Sequence, residues 1–156
     1  MARGYCYEVS SNIEDFPVGD LREDDLYEYA GHNFDYSSDI GEEEQRTLRS
    51  DLIGVFNKFG CLVGVEDDIP YVVFSEQSKM NYFQDRFFRL QDYVKNLLLE
   101  EFSNGDEAKY NIRLLTDNVY SDAVYLNGTY YDSMDYFIRN AETGKKYFLG
   151  NVVLLH

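Results

Sequence analysis

The 156-residue sequence predicts an α+β fold of the ferredoxin-like kind, a split βαβ plait in the order β-α-β-β-α-β. Three observations carry that expectation. Short runs with a period of two alternate along the chain with long runs of helical period. Apolar residues make up 44% of the chain, enough for a real core at a length that argues for one domain over 1–156. No stretch approaches the roughly 18 consecutive apolar residues that a membrane span needs.

Tyr5-Cys6-Tyr7-Glu8-Val9 alternates and is rich in strand formers, which reads as a first strand. Asp20 with Glu23 has the spacing of a helix cap with an acid three residues on, and Gly31 supplies a stop, so a short helix is expected over 21–30. Asp39 with Glu42 repeats the signal. It opens a helix with three acids in its first turn and Leu48, Leu52, Val55, Phe56 and Phe59 as its stripe, closed by Gly60. Two runs, 61–65 and 71–74, read as a hairpin across Glu66-Asp67-Asp68-Ile69-Pro70.

Ser75 caps the longest helix, 76–102, in which Met80, Phe83, Phe87, Leu90, Val94 and Leu97 recur at spacings of three and four. That stripe is expected to pack across the sheet, with a homodimer through the same helix as the alternative. Tyr110, Ile112 and Leu114 alternate with Lys109, Asn111 and Arg113, which places the plait's last strand at 109–115. An extension over 119–156 follows: a strand at 123–126, an Asn127-Gly128 turn, a short segment at 129–131, a helix capped by Asp132, and a final strand at 147–155 with a bulge at Gly150.

Charge is the least ordinary property of the chain. The formal charge is -15, and Glu8 to Glu44 holds 13 acidic residues against the single base Arg22. The remainder, with 16 acids and 13 bases, is nearly balanced. The segment 14–44 therefore reads as an acidic helical insertion after the first strand. Its Phe16, Tyr27, Tyr29, Phe34 and Tyr36 argue for a folded element and against a solvated tail.

Several chemistries have no signature here: no phosphate-binding glycine loop, no nucleophile elbow, no kinase set and no calcium loop. His32 and His156 have no Cys, Ser or second His near them in sequence, so no catalytic residue is assigned. Cys6 and Cys61 lack metal or redox spacing and read as buried thiols of a cytoplasmic protein. Neighbouring acids on a helix point about 100° apart, so Glu42, Glu43 and Glu44 cannot converge on one ion, and no metal or cofactor is expected. The bases are scattered, with Arg86, Arg89 and Lys95 the main grouping, which disfavours direct nucleic-acid binding.

The opening Met-Ala-Arg-Gly-Tyr-Cys-Tyr-Glu-Val, the acidic tyrosine-bearing segment after it and the closing Val152-Val153-Leu154-Leu155-His156 resemble a group of uncharacterised short acidic proteins from Gram-positive gut bacteria and their mobile elements. The likeness covers the two ends. It implies an accessory role in a mobile element, inhibition of host nucleases being one form, and it implies no site residue.

The functional expectation is a non-enzymatic interaction protein that offers an acidic surface to a basic partner, a nucleic-acid-binding protein being the case in which the surface mimics nucleic acid. The candidate acids are Asp20, Glu23, Asp24, Asp25, Glu28, Asp35, Asp39, Glu42 and Glu43, with Tyr27, Tyr29 and Tyr36 as aromatic contacts. The alternative is a small-molecule or enzymatic site near 117–132. There Asp117, Asn118 and Asp122 flank Tyr120, and Tyr125, Tyr130, Tyr131 and Tyr136 gather.

Overall fold

The strand nearest the C-terminus organises the molecule. In the computed structural model, which describes residues 4–116 and 122–156, β7 (Lys146–Leu155) lies inside a seven-stranded mixed sheet. It runs antiparallel to β1 (Gly4–Ser10); β1 turns Tyr5, Tyr7 and Val9 to one face and Cys6 and Glu8 to the other, β7 carries large apolar side chains toward each face, and both strands are nearly all buried. β5 (Ala123–Leu126) lies parallel to β1 on its other side. β6 (Tyr130–Ser133) returns antiparallel through a turn in which Asn127 and Gly128 have φ of 54° and 69°, as the Asn-Gly pair demands. Across β7, β4 (Ile69–Val73) pairs with its beginning and β2 (Ser37–Asp39) with its end, while β3 (Leu62–Glu66) is the hairpin partner of β4. The order is β3-β4-β7-β1-β5-β6, with β2 on β7.

Each face of this sheet has its own cover. On one face, α1 (Glu42–Lys58) and α5 (Met134–Asn140) bring Leu52, Phe56, Phe137 and Ile138 onto Tyr7, Val9, Val72, Leu149 and Val152. On the other face, Cys6, Ala123, Val153 and Leu155 are covered by Leu21 and Leu26, which belong to the acidic segment. That segment is a working layer of the core. Its helical part is a 3-10 helix, Glu23–Tyr29.

The bulge expected at Gly150 is present and decides which residue faces where. Tyr7 pairs with Val152 but Val9 pairs with Leu149, so β7 holds one more residue than β1 over this stretch. Tyr147, Leu149 and Val152 thereby share the face of α1 and α5, and Val153 and Leu155 turn to the acidic segment. A regular strand would put Leu149 and Val153 on the same side.

The mixed α+β class is as expected, while the strand order differs from that of a ferredoxin-like plait. The plait's last strand, placed at 109–115, is helical: α4 (Glu107–Thr116) packs on α2 (Glu76–Asn96). Ala108, Ile112 and Leu115 at helical spacing describe it better than the period-two alternation through the more exposed Tyr110. The helix expected over 76–102 breaks where Leu97 and Leu98 adopt extended ψ values of 127° and 148°, and a separate α3 (Leu99–Ser103) follows. Its stripe does not pack across the sheet. Only Tyr82 and Phe83 reach the core, whereas Met80, Phe87 and Val94 stay exposed.

A polar cluster fixes the first half of α2 to α5. Asp135, buried on α5, accepts a hydrogen bond from the Tyr82 hydroxyl and lies 3.1 Å from Arg86 Nε. Arg86 therefore leaves the expected basic grouping. The cap of α5 is Ser133, which accepts from Tyr136 N, and not Asp132. Cys6 and Cys61 are buried free thiols.

Burial pushes the Cys6 thiol and the hydroxyls of Tyr7, Tyr82 and Tyr131 above their ordinary values, and for Tyr82 the bond to Asp135 adds to it. A folded value raised above the unfolded one means stability that is complete at lower pH and lost as pH rises. Thermal melting followed from pH 7 upward is expected to give a constant midpoint to about pH 8, a fall that begins at about pH 8.5, where the unfolded Cys6 thiol ionises, and a steeper fall above about pH 10, where unfolded tyrosines ionise.

Candidate interaction surface

The acidic segment is held by a buried carboxylate. Glu8 lies on β1 facing that segment, 7% exposed, and accepts four backbone N–H groups. Oε1 takes Gly19 N at 2.7 Å and Asn151 N at 2.8 Å, and Oε2 takes Asp20 N and Leu21 N, both at 3.2 Å. Asn151 belongs to the bulge, where the strand ladder leaves its N–H without a partner on β1. The Asn151 side chain then donates to Gly19 O and Leu21 O. Gly150 has no room for a Cβ, which would meet the Glu8 carboxylate and Val18.

From this fixed point the chain enters the 3-10 helix. Leu21 and Leu26 are sealed beneath it, each contributing about 2 kcal/mol by burial. The expected cap by Asp20 is replaced by another arrangement: Arg22 N donates to Asp25 Oδ2, and Glu23 N donates to Asp39 Oδ1 at 2.9 Å. Asp39 N returns a bond to Glu23 Oε2 at 2.8 Å, which ties β2 to the helix start. Acids suit this end, where N–H groups point outward.

The aromatic candidates divide in role. Tyr29 stacks on Tyr131 at 4.8 Å between ring centroids, with Phe34 beside it, so Tyr29 anchors the segment to β6. Tyr36 is half exposed and stacks on His156 at 4.1 Å. Tyr27 is exposed, and its hydroxyl is pushed up to about 12, first by the hydrogen bond to Asp24 and also by the charge of Glu23.

The candidate acids divide likewise. Asp20, Asp24, Asp25, Glu28, Asp35, Glu42 and Glu43 are exposed, while Glu23 and Asp39 are engaged with each other's backbone. Asp20 and Asp25 meet Asp15, which lay outside the candidate set, in a cleft of about 300 Å³ completed by Phe16, Tyr125 and Asn127. No basic side chain is among its described lining residues. The cleft was not legible because it joins the 15–25 loop to the β5–β6 turn, more than a hundred positions away. The acids at the start of α1 stand apart from it, and Glu42 pairs with Arg46.

A second concavity lies on the face of α5. Val124, Leu126, Phe137 and Tyr147 floor a cavity of about 340 Å³ rimmed by Tyr130, Asp132 and Tyr136. Of the expected 117–132 site, Asp117, Asn118 and Tyr120 lie outside the described residues. Asp122 accepts from Tyr5 N at 3.0 Å, and burial raises its carboxyl. Among the described residues no group of three His, Cys, Asp or Glu could hold a metal ion, and no helix is long and apolar enough to cross a membrane. His32 is exposed in the turn after the 3-10 helix.

A scan against protein-family models gave no match, and searches of curated proteins and of solved structures gave none either. None therefore bears on the likeness of the two termini.

Replacing Glu8 by Gln puts an NH2 group against two backbone donors and is expected to cost about 3 kcal/mol, as is Gly150→Ala, which displaces the same carboxylate. Urea unfolding measures both. The double variant should cost much less than the sum, since both changes act on one contact.

Proposed function

We propose that the protein is a non-enzymatic interaction module that receives a basic protein surface on the acidic segment, with the cleft of Asp15, Asp20 and Asp25 taking an arginine or lysine side chain. What supports this is one observation: three exposed aspartates line a cleft whose described lining has no cation, set on a loop that a buried carboxylate holds in place. A preformed anionic cleft lowers the cost of ordering on binding and speeds the encounter with a cationic partner. When the partner is a nucleic-acid-binding protein, the exposed acids take the place of phosphates, and nucleic acid competes for the same surface. Tyr27, exposed beside Glu23 and Asp24, adds apolar contact with a polar tip.

The cavity beside α5 favours a second reading, a small-ligand site. Its volume falls in the range of ligand pockets, its floor is apolar, and Asp132 is the charged group on its rim. These features suit an organic amine with an apolar body.

The first reading is tested by titrating an oligo-arginine peptide against two triple variants of equal charge change. Asp15→Asn/Asp20→Asn/Asp25→Asn should weaken binding about tenfold, and Glu42→Gln/Glu43→Gln/Glu44→Gln about threefold or less. Equal losses would remove the cleft from the proposal. Asn at position 25 keeps a side-chain oxygen for Arg22 N, and Glu23 is left unchanged in both because its carboxylate holds Asp39 N. For the second reading, phenethylamine should perturb the NMR signals of Leu126 and Phe137, and Asp132→Asn should remove the effect; equal perturbation by phenethyl alcohol would sink the amine preference.

A further inference from the structure

The largest departure from ordinary surface chemistry lies away from the acidic segment. Phe87, Phe88 and Val94 on α2, with Leu98, Leu99 and Phe102 at and beyond its end, are 52–81% exposed. Monomeric surfaces rarely leave so many large apolar side chains together in one stretch of chain. The first half of α2 is fixed to the body through Ser78, Tyr82, Phe83 and Arg86, and among the described residues α2 packs chiefly on α4, with Tyr93 of its second half meeting Asn111. An open groove runs along it, lined by Phe88, Leu90, Gln91, Val94 and Lys95 together with Asp92.

We infer that this face of α2 and α3 is a self-association surface whose occupant is the same face of a second copy of this chain. Three observations select that occupant. The first is charge. Residues 76–116 hold seven acids and six bases, a balance of -1, so the remainder carries -14 of the total -15. Two copies can meet here without facing their acidic segments, whereas a basic partner is drawn to those segments and gains little from a near-neutral face. The second is spacing. Met80, Phe87 and Val94 stand seven residues apart, with Gln84 and Gln91 on the exposed flank between them, so the line repeats as a paired helix requires and carries no acid. The third is area. The six apolar side chains expose on the order of 600 Å² per chain, and with a polar rim this approaches the roughly 800 Å² per partner of a standard interface.

The salt response separates this surface from the acidic one. Pairing through α2 brings two strongly anionic bodies into one particle, so screening favours it. Binding of a cation by the acidic cleft responds in the opposite sense.

Sedimentation equilibrium of the full chain from about 10 μM to about 1 mM is expected to give a dimer mass at the upper end, with association tightening as salt rises from about 50 to about 500 mM. Val94→Glu and Phe88→Gln should each weaken association about tenfold or more while circular dichroism stays unchanged. The two variants lie six positions apart on α2, so a folding defect in one leaves the other as a test. A monomer mass throughout, association that loosens with salt, or a dimer indifferent to both substitutions overturns the inference.

Discussion

A single buried carboxylate holds together the parts of this molecule that its chain keeps far apart. A charge removed from water needs compensation by an opposite charge or by several oriented dipoles. Glu8 receives the second kind, four backbone N–H groups from two segments 130 positions apart. Those same N–H groups would otherwise be lost donors: three sit in a loop with no strand or helix to satisfy them, and one sits in a bulge. Each side of the contact thus removes the other's desolvation cost. The geometry also explains why β7 has glycine at position 150, since any side chain there would occupy the place of the carboxylate.

Much of the fold was readable because local rules agree with tertiary packing in those places. The Asn127-Gly128 turn, the Ser75 cap, the stripe of α1 apart from the exposed Val55, and the bulge at Gly150 each have a short-range physical cause, and each forms. Reading failed where two periods fitted one segment. In α4, Tyr110, Ile112 and Leu114 mimic a strand because only Ala108 is fully buried and the rest is graded from half-buried to exposed. The break at Leu97 and Leu98 has no glycine or proline to announce it. The path of β7 between β1 and β4 was out of reach for a different reason, since long-range pairing leaves no mark on local pattern.

The same division applies to the candidate site. Composition marks the acidic segment but treats all its carboxylates alike. Glu8 is interior, Glu23 and Asp39 close a backbone ring, Asp25 caps the 3-10 helix start, and others face water. The period-two alternation of faces along β1 puts Glu8 on the side of Cys6, on a strand too apolar for a solvated acid. Nothing in the sequence around Asp15 hints that it shares a cleft with Asp20 and Asp25.

The sheet separates more than two cores. With the acidic 3-10 layer on one face and the near-neutral helices α2 and α4 joined to the opposite cluster, the charge is distributed unevenly over the molecule. Near a cationic surface the torque acts over a distance of about a Debye length, roughly 8 Å at physiological ionic strength. Encounters are thus sorted by angle ahead of contact, and the orientation is a property of the whole chain that no single substitution erases.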